Sequence, residues 1–388
     1  MLTAEQRERL IELRRDFHRH PELAHQEHRT AGIVAERLQA LGLDEVRTGV
    51  GQTGVVGVLK GGRPGRTVLL RADMDALPLA ETDRGQAYLS VNHGSHHACG
   101  HDGHVAILMT SAELLVARRR ELPGTVTFVF QPAEERVGGA EGMLEDGALE
   151  PRPDACFGLH LWNDLKVGRV DAQPGPVYAS SDAFAITLTG PGGHAAMPHQ
   201  VPDPVVASAQ LIVALQTLVS RDSPPLEPAV LTIGSVHGGT APNIIPTRVD
   251  LQGTLRVFDP ELRGHLLGRL REHVHAIAAA CRVDAEFRMT ESCPACVNDP
   301  DMSALVHEVA ERIVGPPHVF GATRTTGADD MSLFLDAVPG CYFFVGSANA
   351  ERGLASPHHS PTFDFDERAL DIGVQVLTST AIAFLERG

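Results

Sequence analysis

Pro174-Gly-Pro-Val-Tyr-Ala-Ser-Ser-Asp-Ala-Phe-Ala-Ile-Thr-Leu-Thr189 is the stretch at which the chain changes character. The Pro-Gly-Pro triplet marks a hinge, and Ala183–Thr189 after it reads as a strand. A helix over Val205–Val219, strands at Val230–Val236 and Arg248–Val257, a helix over Pro260–Ala280 and a strand at Val283–Thr290 follow. That order is βαββαβ, the ferredoxin-like arrangement. Working back from the hinge, Thr3-Ala-Glu-Gln6 fits a capping box ahead of a helix carrying Leu10, Leu13 and Phe17. A second helix presents Ala31, Val34, Leu38 and Leu41 on one face, with Gly42 placed to end it. Strands at Val55–Leu59, Thr67–Arg71, Thr125–Phe130 and Ala155–Leu161 then alternate with helices near His104–Arg118 and Gly139–Leu144. Such alternation implies a mostly parallel sheet covered by helices. The pattern resumes after Cys293 with a helix from Asp301, a strand at Cys341–Val345 and a last helix over about Asp366–Leu385. The expected fold is therefore α/β. A discontinuous domain of residues 1–177 and 292–388 is interrupted by an inserted α+β domain of residues 178–291.

Composition narrows the function. The 388 residues carry 33 Lys and Arg against 49 Asp and Glu, a net charge of −16. A surface so acidic argues against nucleic acid or an anionic membrane as partner, since polyanions are held by basic groups, and leaves small molecules or proteins. Met1 to His20 alternates charged with apolar residues and lacks the apolar core of a signal peptide. No unbroken apolar run approaches the ~20 residues of a membrane helix. Six cysteines in a chain of this length do not make a disulfide scaffold. The expectation is a cytoplasmic protein with thiols.

The chemistry concentrates in His93-Gly-Ser-His-His-Ala-Cys-Gly-His-Asp-Gly-His104. Imidazole and thiolate are the ligands of a borderline cation such as Zn²⁺, and placement ahead of a helix lets them converge. Standing alone, the run also suits a solvated histidine-rich loop. Three further segments favour the metal: Arg71-Ala-Asp-Met-Asp75, Gln131-Pro-Ala-Glu-Glu135 and Gly158-Leu-His160 each set polar ligands at or just beyond a strand. In open α/β sheets the functional crevice lies at the carboxyl ends of the strands. Ser356-Pro-His-His-Ser-Pro361 supplies another histidine pair in a proline-fixed loop.

Ala98-Cys-Gly-His-Asp-Gly-His104, Gln131-Pro-Ala-Glu-Glu135, Gly193-His-Ala-Ala-Met-Pro-His199 and Ala241-Pro-Asn-Ile-Ile-Pro246 resemble the signatures of the M20 metallopeptidases. They are most similar to the amidohydrolase branch of hippurate hydrolase, N-acyl-amino-acid deacylases and auxin-conjugate hydrolases. The resemblance spans nearly the whole chain and includes Arg71–Pro78 and Gly253-Thr-Leu-Arg256. It implies a catalytic domain interrupted by a lid and dimerisation domain. It also implies two divalent ions (Zn²⁺, Mn²⁺, Co²⁺ or Ni²⁺) held by Cys99, His101, Glu135, His160 and a C-terminal histidine. His359, which directly precedes Ser-Pro, is the first choice for that ligand and His358 the alternative. By the same resemblance Asp75 orients a ligand histidine, Glu134 is general base and then acid, and His194 polarises the scissile carbonyl, often across a dimer. Asn243 and Arg256 contact substrate, a guanidinium suiting bidentate capture of a carboxylate. The implied reaction is hydrolysis of an N-acyl amino acid, or of a short peptide by a carboxypeptidase or dipeptidase with the same site. A thiol hydrolase with Cys99 as nucleophile and a metal-dependent binding protein without turnover are the more distant readings. Two features depart from the family pattern. Gly327-Ala-Asp-Asp-Met-Ser332 stands where relatives show Glu-Asp-Phe, and His96 occupies a position more often apolar. Cys293-Pro-Ala-Cys296 has no second CxxC to complete a zinc site and reads as structural.

Overall fold

The structure, a computed structural model, describes residues 2–136 and 138–387. The capping box at Thr3 forms: Gln6 N–H donates to Thr3 Oγ1 and Thr3 N–H to Gln6 Oε1. Helix His28–Ala40 ends where Gly42 takes φ 75°, a conformation open to glycine at no steric cost. Asp203, Asp259 and Asp299 each cap a helix that opens on proline, at Pro204, Pro260 and Pro300.

Met1–Val177, Val297–Thr323 and Asp329–Gly388 form one compact unit, and Tyr178–Cys296 with Arg324–Ala328 form a second. In the larger unit eight strands make one sheet, in the spatial order Glu45–Val50, Gly54–Lys60, Pro123–Gln131, Arg63–Asp73, Ala155–Lys166, Gly340–Ala348, Val170–Asp171 and Val319–Phe320. The four central strands, from Pro123–Gln131 to Gly340–Ala348, run parallel, and antiparallel pairings lie towards the edges. The expected α/β sheet is thus present. The edge strand Glu45–Val50 left no signal in the sequence because most of it is solvated. Helix His101–Ala117 is buried along most of its length, packed between helices Ala4–Arg19 and Arg368–Glu386 and the sheet. Two helices, Pro204–Arg221 and Arg368–Glu386, are long and apolar enough by length and composition to cross a membrane. Each instead lays apolar residues on a sheet, Leu211, Leu215 and Leu218 in one and Leu370, Val374 and Leu377 in the other.

The smaller unit is a four-stranded antiparallel sheet in the order Ala229–Gly238, Arg248–Val257, Ser181–Thr189, Asp284–Cys293. This is the ferredoxin-like order, with helices Pro204–Arg221 and Pro260–Cys281 packed on the sheet through Leu211, Leu215, Leu266 and Leu270. Its last strand pairs as far as Cys293 opposite Ser181, so the unit extends past residue 291. Residues 324–328 also join it, with Ala179 N–H donating to Thr325 O.

Candidate metal centre

Register places the site. Arg71 pairs with Gly158 and Asp73 with Gln131, which sets Asp73, Gln131 and His160 in one row across three parallel strands. The turns beyond that row carry Asp75 and the Glu134–Glu135 pair. Helix His101–Ala117 begins three residues earlier than the sequence pattern implies, because Gly100 at φ 92° turns the chain directly into it. His101 therefore sits in the first turn of the helix, against the strand ends.

Asp75 organises the glutamates. Its Oδ1 accepts from Glu134 N–H at 3.1 Å and its Oδ2 from Glu135 N–H at 3.0 Å. His101 Nδ1 donates to the Asp75 carbonyl at 2.9 Å and lies 3.3 Å from its carboxylate. Burial acts against a charge on His101, but Asp73, Asp75 and Glu135 outweigh it and raise the ring to about 10, so a cation bound at Nε2 would take the place of a proton there. His101 Nε2 is buried without a hydrogen-bond partner among the described residues and faces Asp73 Oδ2 at 3.8 Å, Glu134 Oε2 at 3.9 Å and Glu135 Oε1 at 4.0 Å. These separations exceed hydrogen-bond length but suit groups that share a cation. His160 repeats the logic: its Nδ1 donates to Leu161 O at 2.8 Å, and Nε2 lies 3.5 Å from Cys99 Sγ. Ligand atoms of Cys99, His160 and His358 lie within 4.8 Å of one another, as do those of Cys99, His101 and Glu135.

The two C-terminal histidines differ. His358 Nε2 accepts from Asn163 N–H at 3.2 Å, so its proton is on Nδ1, which lies 3.8 Å from Cys99 Sγ. In that tautomer it has no lone pair to offer a cation and can donate to the sulfur. His359 instead puts Nε2 3.3 Å from Glu135 Oε1, while its backbone N–H holds Ala98 O at 2.8 Å. His359 has φ 61°, and Ala133, just before the glutamate pair, has φ 52°. Left-handed residues other than glycine cost on the order of 1 kcal/mol or more and cluster at functional sites.

Charge is distributed unequally. Burial and the carboxylates of Asp329, Glu135, Asp330 and Asp73 raise Glu134 well above the usual range. Burial also acts upward on Glu135, but His359 and His101 overcome it and hold that carboxyl low. Neighbouring acids driven apart in this way suit different roles, one as proton carrier and one as anion. Burial and the same glutamates push the Cys99 thiol well up, so a cation is what would make it a thiolate. Burial lowers His160, with His104 and His358 adding to the effect, and keeps it neutral. Beneath the site Arg71 is buried against Asp73 at 2.7 Å, Asp330 at 3.1 Å and Asp329 at 3.2 Å. Asp329, which stands where the family pattern has Glu, also accepts from Met331 N–H at 2.8 Å.

Sequence reasoning missed three supports. Arg71 was visible only as part of a motif. Glu27, fully buried, accepts from Ala133 N–H at 2.9 Å and from Thr53 Oγ1 at 2.6 Å, and so holds the left-handed turn before Glu134. His104 is tied at both nitrogens, to Asp73 at 2.6 Å and to Leu161 N–H at 2.9 Å, which leaves it no atom for a ligand or a base. Glu27 carried no sequence signal, since a glutamate in a polar loop looks solvated until tertiary burial is known. His194, Asn243 and Arg256 lie in the smaller unit. His194 is exposed, its Nδ1 accepting from Ala196 N–H at 3.0 Å, and Ala195 N–H donates to Asn243 O at 3.1 Å.

The donor set fits divalent cations, since it combines a sulfur, imidazole lone pairs and a carboxylate around an unpartnered buried nitrogen. Comparison with known proteins agrees. Residues 69–383 match the model of peptidase family M20/M25/M40. The chain is 39% identical over 379 residues to thermostable carboxypeptidase 2 of Saccharolobus solfataricus, covering 97% of this chain and 95% of that one. It is 38% identical over 378 residues to N-acetylcysteine deacetylase of Bacillus subtilis, covering 97% of both. The crystal structure of Bacillus subtilis YXEP protein, described as a dinuclear metal binding peptidase from the M20 family, superposes with a TM-score of 0.86 at 34% identity over 99% of both chains. The resemblance carried by the four motifs is borne out: the chain belongs to peptidase family M20/M25/M40 and is a hydrolase of amide or peptide bonds.

Proposed function

We propose that the protein hydrolyses the amide bond of N-acyl amino acids with two divalent cations, held by Cys99, His101, Glu135, His160 and His359. The observation that carries this reading is His101 Nε2, buried, unpartnered and facing three carboxylates at 3.8–4.0 Å. When bound, divalent cations polarise a carbonyl and can bring a water's pKa from 15.7 toward ~7. Glu134, raised by burial, takes a proton from the attacking water and later delivers it to the leaving amine, which cannot depart as an anion. Asp75 keeps His101 and both glutamates in place. His194 is assigned to the scissile carbonyl, and Asn243 and Arg256 to substrate, the guanidinium to a free carboxylate. Carboxypeptidase action on short peptides is the second reading, favoured by the 39% identity to a carboxypeptidase. A Cys99 nucleophile is disfavoured because burial and the surrounding carboxylates oppose thiolate formation.

The test is amine release from N-acetyl, N-benzoyl and indole-acyl amino acids and dipeptides, before chelation, after it, and after return of single metals. Activity should vanish with chelator and return with metal. Glu134→Gln should cut kcat by about 10²–10⁴-fold with metal content intact. Retained activity in that variant would remove Glu134 from the role.

A homodimer built through the smaller unit completes the reading. Val205, Val206, Val213, Val230, Val236 and Ile244 are exposed apolar residues of that unit, and Ala229–Gly238 is an edge strand. Sedimentation of the protein should give a dimer, and Val213→Glu should shift it towards monomer. A parent protein that sediments as a monomer would refute the assignment.

A further inference from the structure

Three side chains that the proposed reaction does not use converge elsewhere in the larger unit. His18 lies on helix Ala4–Arg19, Glu81 in the loop beyond Leu79, and His96 shortly before Cys99. His18 Nε2 is 3.0 Å from Glu81 Oε1, and His96 Nε2 is 3.7 Å from the same oxygen. Their ligand atoms all lie within 4.8 Å of one another. Both histidines are fully buried and the Glu81 side chain is 3% exposed.

Two features separate this cluster from an ordinary ion pair. Among the described residues His96 has no hydrogen-bond partner at either ring nitrogen, although a buried polar group left unpaired is costly. His18 also presents its other nitrogen, Nδ1, to Asp102 Oδ2 at 2.7 Å, and Arg14 Nε lies 2.8 Å from that carboxylate. A carboxylate behind one imidazole nitrogen, with the opposite nitrogen turned to a shared centre, is how metal-ligating histidines are oriented. Glu81 is fixed independently: Oε2 accepts from Ser90 N–H at 2.8 Å and Oε1 from Gln86 Nε2 at 2.7 Å. Two of the three donors, His18 and Glu81, are therefore preorganised.

We propose that His18 Nε2, Glu81 Oε1 and His96 Nε2 form a further divalent-cation site, distinct from the catalytic pair and suited by its two imidazoles and one carboxylate to Zn²⁺. Binding displaces the proton between His18 Nε2 and Glu81 to solvent, leaving both as ligands. The site supplies three of the four ligands of a tetrahedral ion and leaves the fourth position to a water. It ties the first helix to the loop that leads into Cys99. A ligand-free alternative has His18 donating to Asp102 and Glu81 while His96 packs edge-on against it at 5.3 Å between centroids, and it leaves His96 unsatisfied.

The experiment equilibrates the whole protein with Zn²⁺ alone, removes excess by dialysis and measures zinc per chain by elemental analysis. His96→Leu, which keeps bulk and removes the donor, should hold one equivalent less than the parent while retaining amide hydrolysis. Glu135→Gln should lose zinc from the catalytic centre yet keep the His96-dependent equivalent, so failure of either reading is separately visible. Zinc anomalous scattering from crystals of the parent should show a peak between His18, Glu81 and His96. Equal zinc content in parent and folded His96→Leu overturns the proposal. If that variant does not fold, a parent map with peaks at Cys99 but none at His96 overturns it instead.

Discussion

Asp75→Asn removes one charge and changes one atom, yet it strikes the point from which both glutamates hang. The carboxylate accepts from two backbone N–H groups, at 3.1 and 3.0 Å. An amide has one carbonyl oxygen and must turn its NH₂ towards the other N–H, donor against donor. One charge-assisted hydrogen bond is lost, about 1.5–3 kcal/mol. At about 1.4 kcal/mol per decade, that weakens a cation held by Glu135 and His101 by roughly tenfold to somewhat more than 100-fold. The figure agrees with the 10–100-fold typical of groups that orient metal ligands. Competition with a chromophoric chelator, on parent and variant of equal circular dichroism, reads the affinity directly. If folded Asp75→Asn binds Zn²⁺ within about twofold of the parent, roughly 0.4 kcal/mol, the carboxylate does not hold the ligands and the construction of the site is wrong.

Two further expectations follow from the same geometry. His359→Ala should cost more metal affinity than His358→Gln, because His359 Nε2 lies on Glu135 while His358 Nε2 is occupied by Asn163 N–H; the reverse order, measured by chelator competition, would transfer the ligand role to His358. In the metal-free protein burial holds His96 at about 4 and His97 and His358 at about 3, against an ordinary 6.5. Groups depressed in the folded state contribute stability that is present above pH 6.5 and is lost as pH falls towards 3–4, by up to about 1.4 kcal/mol per pH unit for each proton taken up on unfolding. Glu134 and Asp330, raised by burial, act in the opposite sense over the same range, so the histidine contribution is the difference between parent and folded His97→Leu in urea denaturation at pH 7 and pH 5, and an equal pH dependence in the two would mean that ring is solvated.

Much of the architecture is legible in the sequence because it is written in local rules. The Thr3 capping box, the Asp-Pro helix starts, the glycine at the end of the second helix and the βαββαβ order after the hinge depend on residues within a turn or a strand of one another. The donor residues stood out for a similar reason: Cys99, His101 and the Glu134–Glu135 pair combine uncommon side chains at short spacing, and placement at strand ends converges them in any parallel sheet. Tertiary structure decided what short range cannot encode. Whether Glu27 is a solvated loop residue or a buried clamp on Ala133 depends on a contact across 106 positions, and the Arg71–Asp329 pair spans 258. The different parts taken by His358 and His359, adjacent and identical in kind, depend on which ring nitrogen Asn163 N–H reaches from 195 residues away. Composition and periodicity mark the apolar residues that face the core and the donors that are available. Proton positions and charge states follow only once burial and long-range hydrogen bonds give each donor its neighbours.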